Sequence, residues 1–291
     1  MRVLVTGCNG QVGHCLVNQL QNNVELLAVD REELDITSRD AVFTLVSEFK
    51  PDFIINAAAH TAVDKAEDEV DLSYAVNCDG PKYLAEAAKN VGGTVLHIST
   101  DYVFPGNKQG VYSEEDETGP LGVYGKTKLA GELALVEANE RHIILRTAWV
   151  FGEHGNNFVK TMLRLGKDRE ALSIVGDQYG GPTYAGDIAR ALITIMNKLS
   201  ADNDSSLYGV YHFSGAPHVS WYEFAQDIFQ QAETKQLLKA PTLTSITTDM
   251  YPTPAVRPEN SKMNCDKIQR NFGIAPSNWR AALDNIEGYM A

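Results

Sequence analysis

The chain has 291 residues, 44% of them hydrophobic and 22% charged, with a formal net charge of −13. That length suits one large domain, or a medium domain with a smaller companion. The acidic balance argues against nucleic acid, which needs clustered Lys and Arg against its phosphates, and no apolar run approaches the ~20 residues of a membrane span.

Arg2 to Thr6 reads as a short buried strand, followed by a glycine-rich turn and an amphipathic segment from about Gln11 to Leu20. Glu25 to Val29 is a second apolar run, ending at Asp30. Asp35-Ile36-Thr37 leads into a helix from about Arg39 to Phe49, and Pro51 punctuates before the strand Phe53 to Asn56. A helix from about Pro81 to Val91 precedes the strand Thr94 to Ser99. The segment carrying Tyr124 and Lys128 reads as a helix to about Ala138, and His142 to Arg146 as the next strand. Strands alternating with helices in this way imply βαβ units with right-handed crossovers. The expected fold is α/β, a doubly wound parallel sheet (Rossmann) that places ligands at the carboxyl ends of its strands.

The second half is less regular. Asn156 to Leu165 and Asp187 to Leu199 look helical, and the polar stretch Ser200 to Ser206 reads as a linker. Tyr208 to Ser214 reads as a strand and Trp221 to Gln231 as a helix. Lys239 to Pro258 is rich in proline and threonine and is expected to be loop. The four cysteines, Cys8, Cys15, Cys78 and Cys265, show no metal-ligand spacing and no disulfide framework, so free thiols and no metal are expected. Met1-Arg2-Val3-Leu4-Val5 breaks at Thr6-Gly7 instead of continuing as a leader segment, which makes the cytoplasm the expected location.

Thr6-Gly7-Cys8-Asn9-Gly10-Gln11-Val12-Gly13 follows the first strand and opens the first helix. Glycines at 7, 10 and 13 allow a tight turn, close backbone approach to a pyrophosphate and close helix-to-sheet packing. The helix amino terminus adds unpaired amides and a partial positive charge. Asp30 ends the second strand 17 residues after Gly13, where a carboxylate accepts from adenosine ribose hydroxyls and favours NAD(H). Arg31 follows and can cushion a 2′-phosphate, so NADH or NADPH is expected. Residues 1–148 are then the dinucleotide-binding domain, and 149–291 mostly a smaller α/β substrate domain from which later segments return to the first.

Tyr124 and Lys128 stand one helical turn apart and share a face. A cation at ~4 Å in a medium of effective dielectric ~20 favours phenolate by up to ~4 kcal/mol before desolvation is subtracted. The spacing therefore predicts that Lys128 lowers the pKa of Tyr124 towards the range of a useful general acid or base.

With the glycine turn, Asn56-Ala57-Ala58-Ala59 and Tyr124-x-x-x-Lys128, the chain resembles the extended short-chain dehydrogenase/reductases. Within them, several stretches resemble the dTDP-4-dehydrorhamnose reductase family: Gly10 to Gly13, Asp35-Ile36-Thr37, Asn56 to Glu67, Ser99 to Phe104, Arg146 to Gly152, Asp177 to Thr183 and Arg257-Pro258. The match runs from residue 1 to about 261 and becomes vague over the last thirty residues. The chain departs from the family at Ile98, where an aromatic residue usually stands two positions before the active-site threonine.

The resemblance implies NAD(P)H-dependent reduction of the C4 ketone of dTDP-4-dehydro-L-rhamnose to dTDP-L-rhamnose. It implies Gly7, Gly10, Gln11, Val12 and Gly13 along the cofactor pyrophosphate, Asp30 on the adenosine ribose, and Asp35 and Ile36 beside the adenine. Ala58, Ala59 and Thr61 would line the path to the nicotinamide ribose. Thr100, Asp101 and Trp149 would contact the deoxysugar, with Val63 and Asn157 in the same pocket. Tyr124 would donate the proton, Thr100 would hydrogen-bond the same oxygen, and Lys128 would hold the ribose hydroxyls. Arg257 is a candidate for a two-point contact with the diphosphate.

Two enzyme alternatives share the scaffold. Dehydratases carry Thr-Asp-Glu where this chain has Thr100-Asp101-Tyr102, so their second acid is missing. Epimerases that retain NAD are not excluded by the tyrosine and lysine. A third alternative is a non-catalytic regulatory subunit resembling that of methionine adenosyltransferase. The partner expected is a small nucleotide sugar, and family members can form homodimers. His60, His97 and His142 read as core or edge histidines, Cys8 as a space-filling residue, and Glu114-Glu115-Asp116-Glu117 as a solvated run.

Overall fold

The computed structural model describes residues 1–21, 23–202 and 204–290. The apolar runs of the first half become strands β1 (Arg2–Thr6), β2 (Glu25–Val29), β3 (Phe53–Asn56), β4 (Thr94–Thr100) and β5 (His142–Thr147). β3 and β5 are buried along their whole length, as strands covered on both faces must be. Four short strands follow: β6 (Val150–Phe151), β7 (Ala171–Val175), β8 (Tyr179–Gly180) and β9 (Thr183–Tyr184). β10 (Gly209–His212) then returns to complete a six-stranded sheet of order β10-β5-β4-β3-β1-β2, parallel throughout.

Helix α1 (Gln11–Leu20) joins β1 to β2, and α2 (Arg39–Phe49) joins β2 to β3. Between β3 and β4 lie α3 (Val63–Ala66), α4 (Val70–Tyr74), a π-helical turn over Ala75–Asp79, and α5 (Gly80–Val91). α6 (Val123–Ala138) joins β4 to β5. After them come α7 (Phe158–Asp168) and α8 (Ala185–Asp202). One face of the sheet is covered by α1 and α8, which bury Leu16, Ile188 and Ile195 with Val3 and Val5. The other is covered by α2, α5 and α6, which bury Val42, Leu84 and Leu135 with Leu4 and Ile54. Each such side chain contributes roughly 1.5–3 kcal/mol when removed from water.

A separate core gathers Phe151, Val159 and Leu163 with residues of α9 (Trp221–Thr234) and α11 (Trp279–Leu283), among them Phe224, Ile228 and Trp279. Between those two helices, α10 (Asp266–Phe272) sends Ile268 and Phe272 back into the first core. The small pairings are β6 with β9, β8 with β11 (Val219–Ser220), and β7 with β12 (Thr242–Ile246).

The sheet follows the expected alternation, and the differences lie elsewhere. Thr242–Ile246 was expected to be loop and is a five-residue parallel strand on β7, which the sequence also does not announce. α7 starts at Phe158, not Asn156, because Asn157 is its N-cap and accepts from the N–H of Lys160. α8 runs on through Ser200–Asp202 and absorbs part of the expected linker; Asn203 of that stretch lies outside the described residues. No helix among the described residues is long and apolar enough to cross a membrane.

Candidate active site

Strand order reverses between β1 and β3, and a crevice opens beyond their carboxyl ends, as doubly wound sheets require. The chain leaves β1 through Gly7 at φ +68°, where a Cβ would stand 2.6 Å from the backbone nitrogen of Ala58. A Cβ at Gly13 would meet the carbonyl oxygen of Gly7 at 2.0 Å. Only glycine lets the turn, α1 and the end of β3 come this close. The result is a cavity of about 330 Å³ whose lining includes Gly7, Gly10, Asp30, Asp35, Ile36, Ala58 and Ala59. Arg31 lines it too. Gln11, Val12 and Gly13 form the first turn of α1, and Thr61 is exposed nearby in sequence.

The carboxylates here are organised by the backbone. Asp30 accepts from the N–H of Asn9 at 2.9 Å and of Arg31 at 2.7 Å. Asp35 accepts from the hydroxyl of Thr37 at 2.7 Å and from its N–H at 3.0 Å, and these bonds hold its carboxyl below the usual range. Asn157, a candidate for the sugar pocket, spends its amide hydrogens inside the protein. Its Nδ2 donates to Oε1 of Gln11 at 3.0 Å and to the carbonyl of Gly152 at 2.7 Å, so it fastens α7 to the glycine-rich turn.

Tyr124 lies in the first turn of α6, half-buried, its ring edge-on to Tyr102 with centroids 5.4 Å apart. Lys128 is 2% exposed and aims its Nζ at β4, donating to the carbonyl of Ile98 at 2.7 Å and lying 3.2 Å from Nε2 of His97. The expectation that Lys128 lowers the phenol's pKa is therefore overturned. Burial pushes Tyr124 up to about 12; the facing Thr100 hydroxyl opposes the rise and Asp101 adds to it. Burial also pushes Lys128 down to about 8, against the pull of Glu132. Spacing put the two residues on one face, but a four-carbon stem delivers its nitrogen to the nearest acceptor, which here is a strand carbonyl.

Thr100 closes β4. Its hydroxyl donates to Oδ1 of Asp101 at 3.0 Å and accepts from the N–H of Tyr102 at 3.2 Å. Asp101 is 3% exposed; its Oδ1 holds the Thr100 hydroxyl, and its Oδ2 has no partner in hydrogen-bond geometry among the described residues, although the Ser261 hydroxyl stands nearby. Burial raises its carboxyl to about 6 against hydrogen bonds from Ser261 and Thr100. Thr100, Asp101, Tyr124 and Lys128 thus converge at the end of β4.

Trp149 follows β5 with φ +50° and stacks on Trp221, centroids 3.5 Å apart and planes 9° from parallel. Val63 opens α3, and its neighbour Asp64 grips Arg257 at two points, Nη1 to Oδ1 and Nη2 to Oδ2, both 2.9 Å. That grip holds Asp64 below the usual carboxylate range. The Asp177-Gln178 motif anchors the preceding loop: Asp177 accepts from the N–H of Thr248 at 2.9 Å and from its hydroxyl at 2.7 Å.

One buried residue escaped the sequence reading. Asn77 sits in the π-helical turn; its Oδ1 accepts from the N–H of His60 at 2.8 Å, and its Nδ2 donates to the His60 carbonyl at 3.1 Å and to Thr127 at 3.2 Å. It ties the segment after β3 to α6, and no spacing marks it. His97 is a core histidine as expected, but it touches Lys128. The acidic run is only half solvated, since Glu114 accepts from the N–H of His212 at 2.9 Å and Asp116 from that of Ser113 at 2.6 Å. Cys8 has its thiol pushed up by burial, which suits a space-filling role.

A family model described as RmlD substrate binding domain matches residues 1–288. A curated relative named dTDP-4-dehydrorhamnose reductase, from Aggregatibacter actinomycetemcomitans, is 53% identical over 291 residues, covering 99% of each chain. The chain belongs to the dTDP-4-dehydrorhamnose reductase family. Among solved members of that family, the Clostridium acetobutylicum protein superposes with a TM-score of 0.91 at 41% identity, covering 99% of this chain and 98% of its own. The Bacillus anthracis protein, solved in complex with NADP, gives a TM-score of 0.89 at 38% identity, covering 98% of both chains.

Proposed function

We propose that this protein reduces the C4 ketone of dTDP-4-dehydro-L-rhamnose to dTDP-L-rhamnose with NADH or NADPH. The observation that carries the proposal is the convergence of Thr100, Tyr124 and Lys128 at the carboxyl end of β4, the strand next to β3 whose following residues line the glycine-rich crevice, in a chain 53% identical to a curated reductase of that name. The crevice suits a dinucleotide: three backbone segments approach too closely for a Cβ at Gly7 or Gly13, and the amides of α1 open towards it. Gly7, Gly10, Gln11, Val12 and Gly13 would hold the pyrophosphate, and Ala58, Ala59 and Thr61 the approach to the nicotinamide ribose. Asp30 and Arg31 line the cavity together, which favours neither cofactor absolutely. Bound there, the reduced nicotinamide supplies the hydride.

The chain's own residues manage the proton. A phenol held near pKa 12 is protonated at neutral pH, so Tyr124 is ready to give a proton to the ketone oxygen as negative charge develops on it. Thr100 stabilises that charge by hydrogen bonding. Trp149, Asp101 and Val63 form the wall for the deoxysugar. Arg257, oriented by Asp64, keeps N–H donors for the diphosphate because a guanidinium has five. Residues 1–148 would hold the cofactor and 149–291 mostly the substrate, with α8, β10 and α10 belonging to the first unit.

The deciding assay is oxidation of NADH or NADPH with dTDP-4-dehydro-L-rhamnose generated in place, against other nucleotide ketosugars. Oxidation with another ketosugar alone would reject this substrate, and no oxidation with any would reject the reductase. Leu133 (64% exposed) and Val136 (44%) leave an apolar stripe on α6, the surface where a homodimer would pair. A Leu133→Lys variant should shift sedimentation to monomer; an unchanged profile removes that surface. The unpaired cysteines suit the reducing cytoplasm, which fractionation of cells would test.

A further inference from the structure

His97 lies at the end of a buried hydrogen-bond chain that leaves it no freedom over where its proton sits. Asn56 accepts at Oδ1 from the hydroxyl of Thr6 at 2.7 Å and from the N–H of Ala58 at 3.1 Å. A backbone N–H can only donate, so that atom is the amide oxygen, and reversing the amide would set N–H against N–H. The Asn56 Nδ2 group therefore donates to Nδ1 of His97, 3.0 Å away. With Nδ1 accepting, the ring proton is on Nε2, and Nε2 faces Nζ of Lys128 at 3.2 Å.

An ammonium has three donors and no acceptor. Set against Nε2–H it would be a donor facing a donor, in a place where His97 is 0% exposed and Lys128 2%. An amine has a lone pair to accept from Nε2–H while it donates to the carbonyl of Ile98 at 2.7 Å. Every contact along the chain then pairs one donor with one acceptor. We propose that His97 is a positioning residue whose fixed Nε2–H parks Lys128 on β4 as a neutral amine, and that protonation of Lys128 releases it to turn towards the cofactor's ribose. The proton comes from solvent and adds to the Nζ lone pair, breaking the bond from Nε2–H and leaving His97 neutral.

The surroundings support the amine. Glu132, one turn along α6, is occupied by Arg146 of β5 at 2.9 and 2.7 Å. Glu132 pulls Lys128 towards the ammonium and burial outweighs it, bringing the lysine down to about 8, so the parked amine prevails above that pH and the released ammonium below it. Past β4 stand Asp101, whose carboxyl is raised, and Tyr124, a neutral phenol at working pH. Asp64, Asp71, Asp79 and Glu86 stand on α3, α4, the π-helical turn and α5, and two of them are taken up elsewhere, Asp64 by Arg257 and Glu86 by Arg39. Burial holds His97 well below its ordinary value, so the ring does not supply a second proton.

Only the release step rests on Lys128 being the residue that holds the ribose. The first test is ¹⁵N NMR of histidine-labelled, cofactor-free protein, with the His97 signal assigned through a His97→Gln variant. The Nε2–H tautomer is expected at every pH from about 6 to 9; an Nδ1–H tautomer overturns the proposal. The second is the pH dependence of NADPH binding. Affinity in the unaltered protein should weaken about fivefold from pH ~8 to ~9, with proton uptake seen in buffers of different ionisation heat. In His97→Gln a side-chain oxygen can accept from the ammonium, and the dependence should flatten. A flat profile in the unaltered protein, or an equal slope in a folded variant, overturns the proposal; if the variant does not fold, the unaltered protein decides. If the tautomer and uptake hold but no ketosugar is reduced, the reductase proposal falls and this one stands.

Discussion

Glu67 caps the helix that carries Tyr124. Its Oε1 accepts from the N–H of Val123 at 2.9 Å, a position where the helix's own N-cap, Gly122, has no side chain to offer. The cap arrives from the residue just past α3, so the segment that follows β3 fixes where the helix of the proposed proton donor starts. Glu67→Ala should cost ~1 kcal/mol of stability and lower kcat by roughly three- to tenfold through a looser Tyr124. Glu67→Gln, which keeps an acceptor oxygen, should retain both. Thermal melts and turnover of the two variants check this; an alanine variant with full turnover would confine Glu67 to stability.

Tyr124→Phe removes the proposed proton donor and, apart from its hydrogen bond with Thr100, little else. A fall in kcat of about 10²-fold or more is expected, with the Kd for NADPH within about twofold by fluorescence titration. A phenylalanine variant with most of its turnover would assign the proton to another group.

Arg257→Ala should raise KM for the nucleotide sugar by roughly ten- to a hundredfold, the loss of ~1.5–3 kcal/mol from a charge-assisted contact. Asp64→Asn should give a smaller rise, because the guanidinium keeps its charge and loses one leg of its seat. NADPH affinity should not move in either. Steady-state kinetics with sugar varied at saturating cofactor measures it, and an unchanged KM in the alanine variant removes Arg257 from the substrate site.

Stability should fall on mild acidification. Burial holds His97, His142 and His212 below the ordinary 6.5, His212 at about 3 with Arg146 adding to the effect. Unfolded histidines take up protons below about pH 6.5 and the folded ones do not, so the unfolded state gains protons as pH drops. Each such group costs up to ~1.4 kcal/mol per pH unit until its folded value is reached. Asp101 works in the other direction, since its folded value of about 6 lies above the unfolded one; it adds stability between pH ~6 and ~4 and offsets one histidine. Urea midpoints at pH ~7, ~6 and ~5 should decline in order, and a midpoint that holds or rises contradicts the balance.

The sheet and its crevice were legible because their signals are local. β3 and β5 are apolar along their length, and the glycine turn sits directly after β1. What stayed hidden depends on partners far away in the chain. Arg257 reads as a free cation until Asp64, 193 residues earlier, is beside it. Thr242–Ile246 reads as loop because most of its side chains face solvent and only pairing with β7 makes it a strand. Lys128 was placed on the correct face, but its direction depends on a carbonyl of β4 and on a histidine whose proton is fixed by Asn56.

Trp149 holds a left-handed backbone, φ +50°, where the chain passes from the first core to the second. A residue with a Cβ costs ~1–2 kcal/mol there relative to glycine. The indole more than offsets that cost, because it stacks on Trp221 and packs against the second core. Backbone strain and aromatic stack therefore hold each other in place at position 149, and a glycine there would relax the turn only by giving up the contact that joins the two cores. Under the proposed sugar contact, the same strained seat would also fix the direction in which the ring faces the substrate.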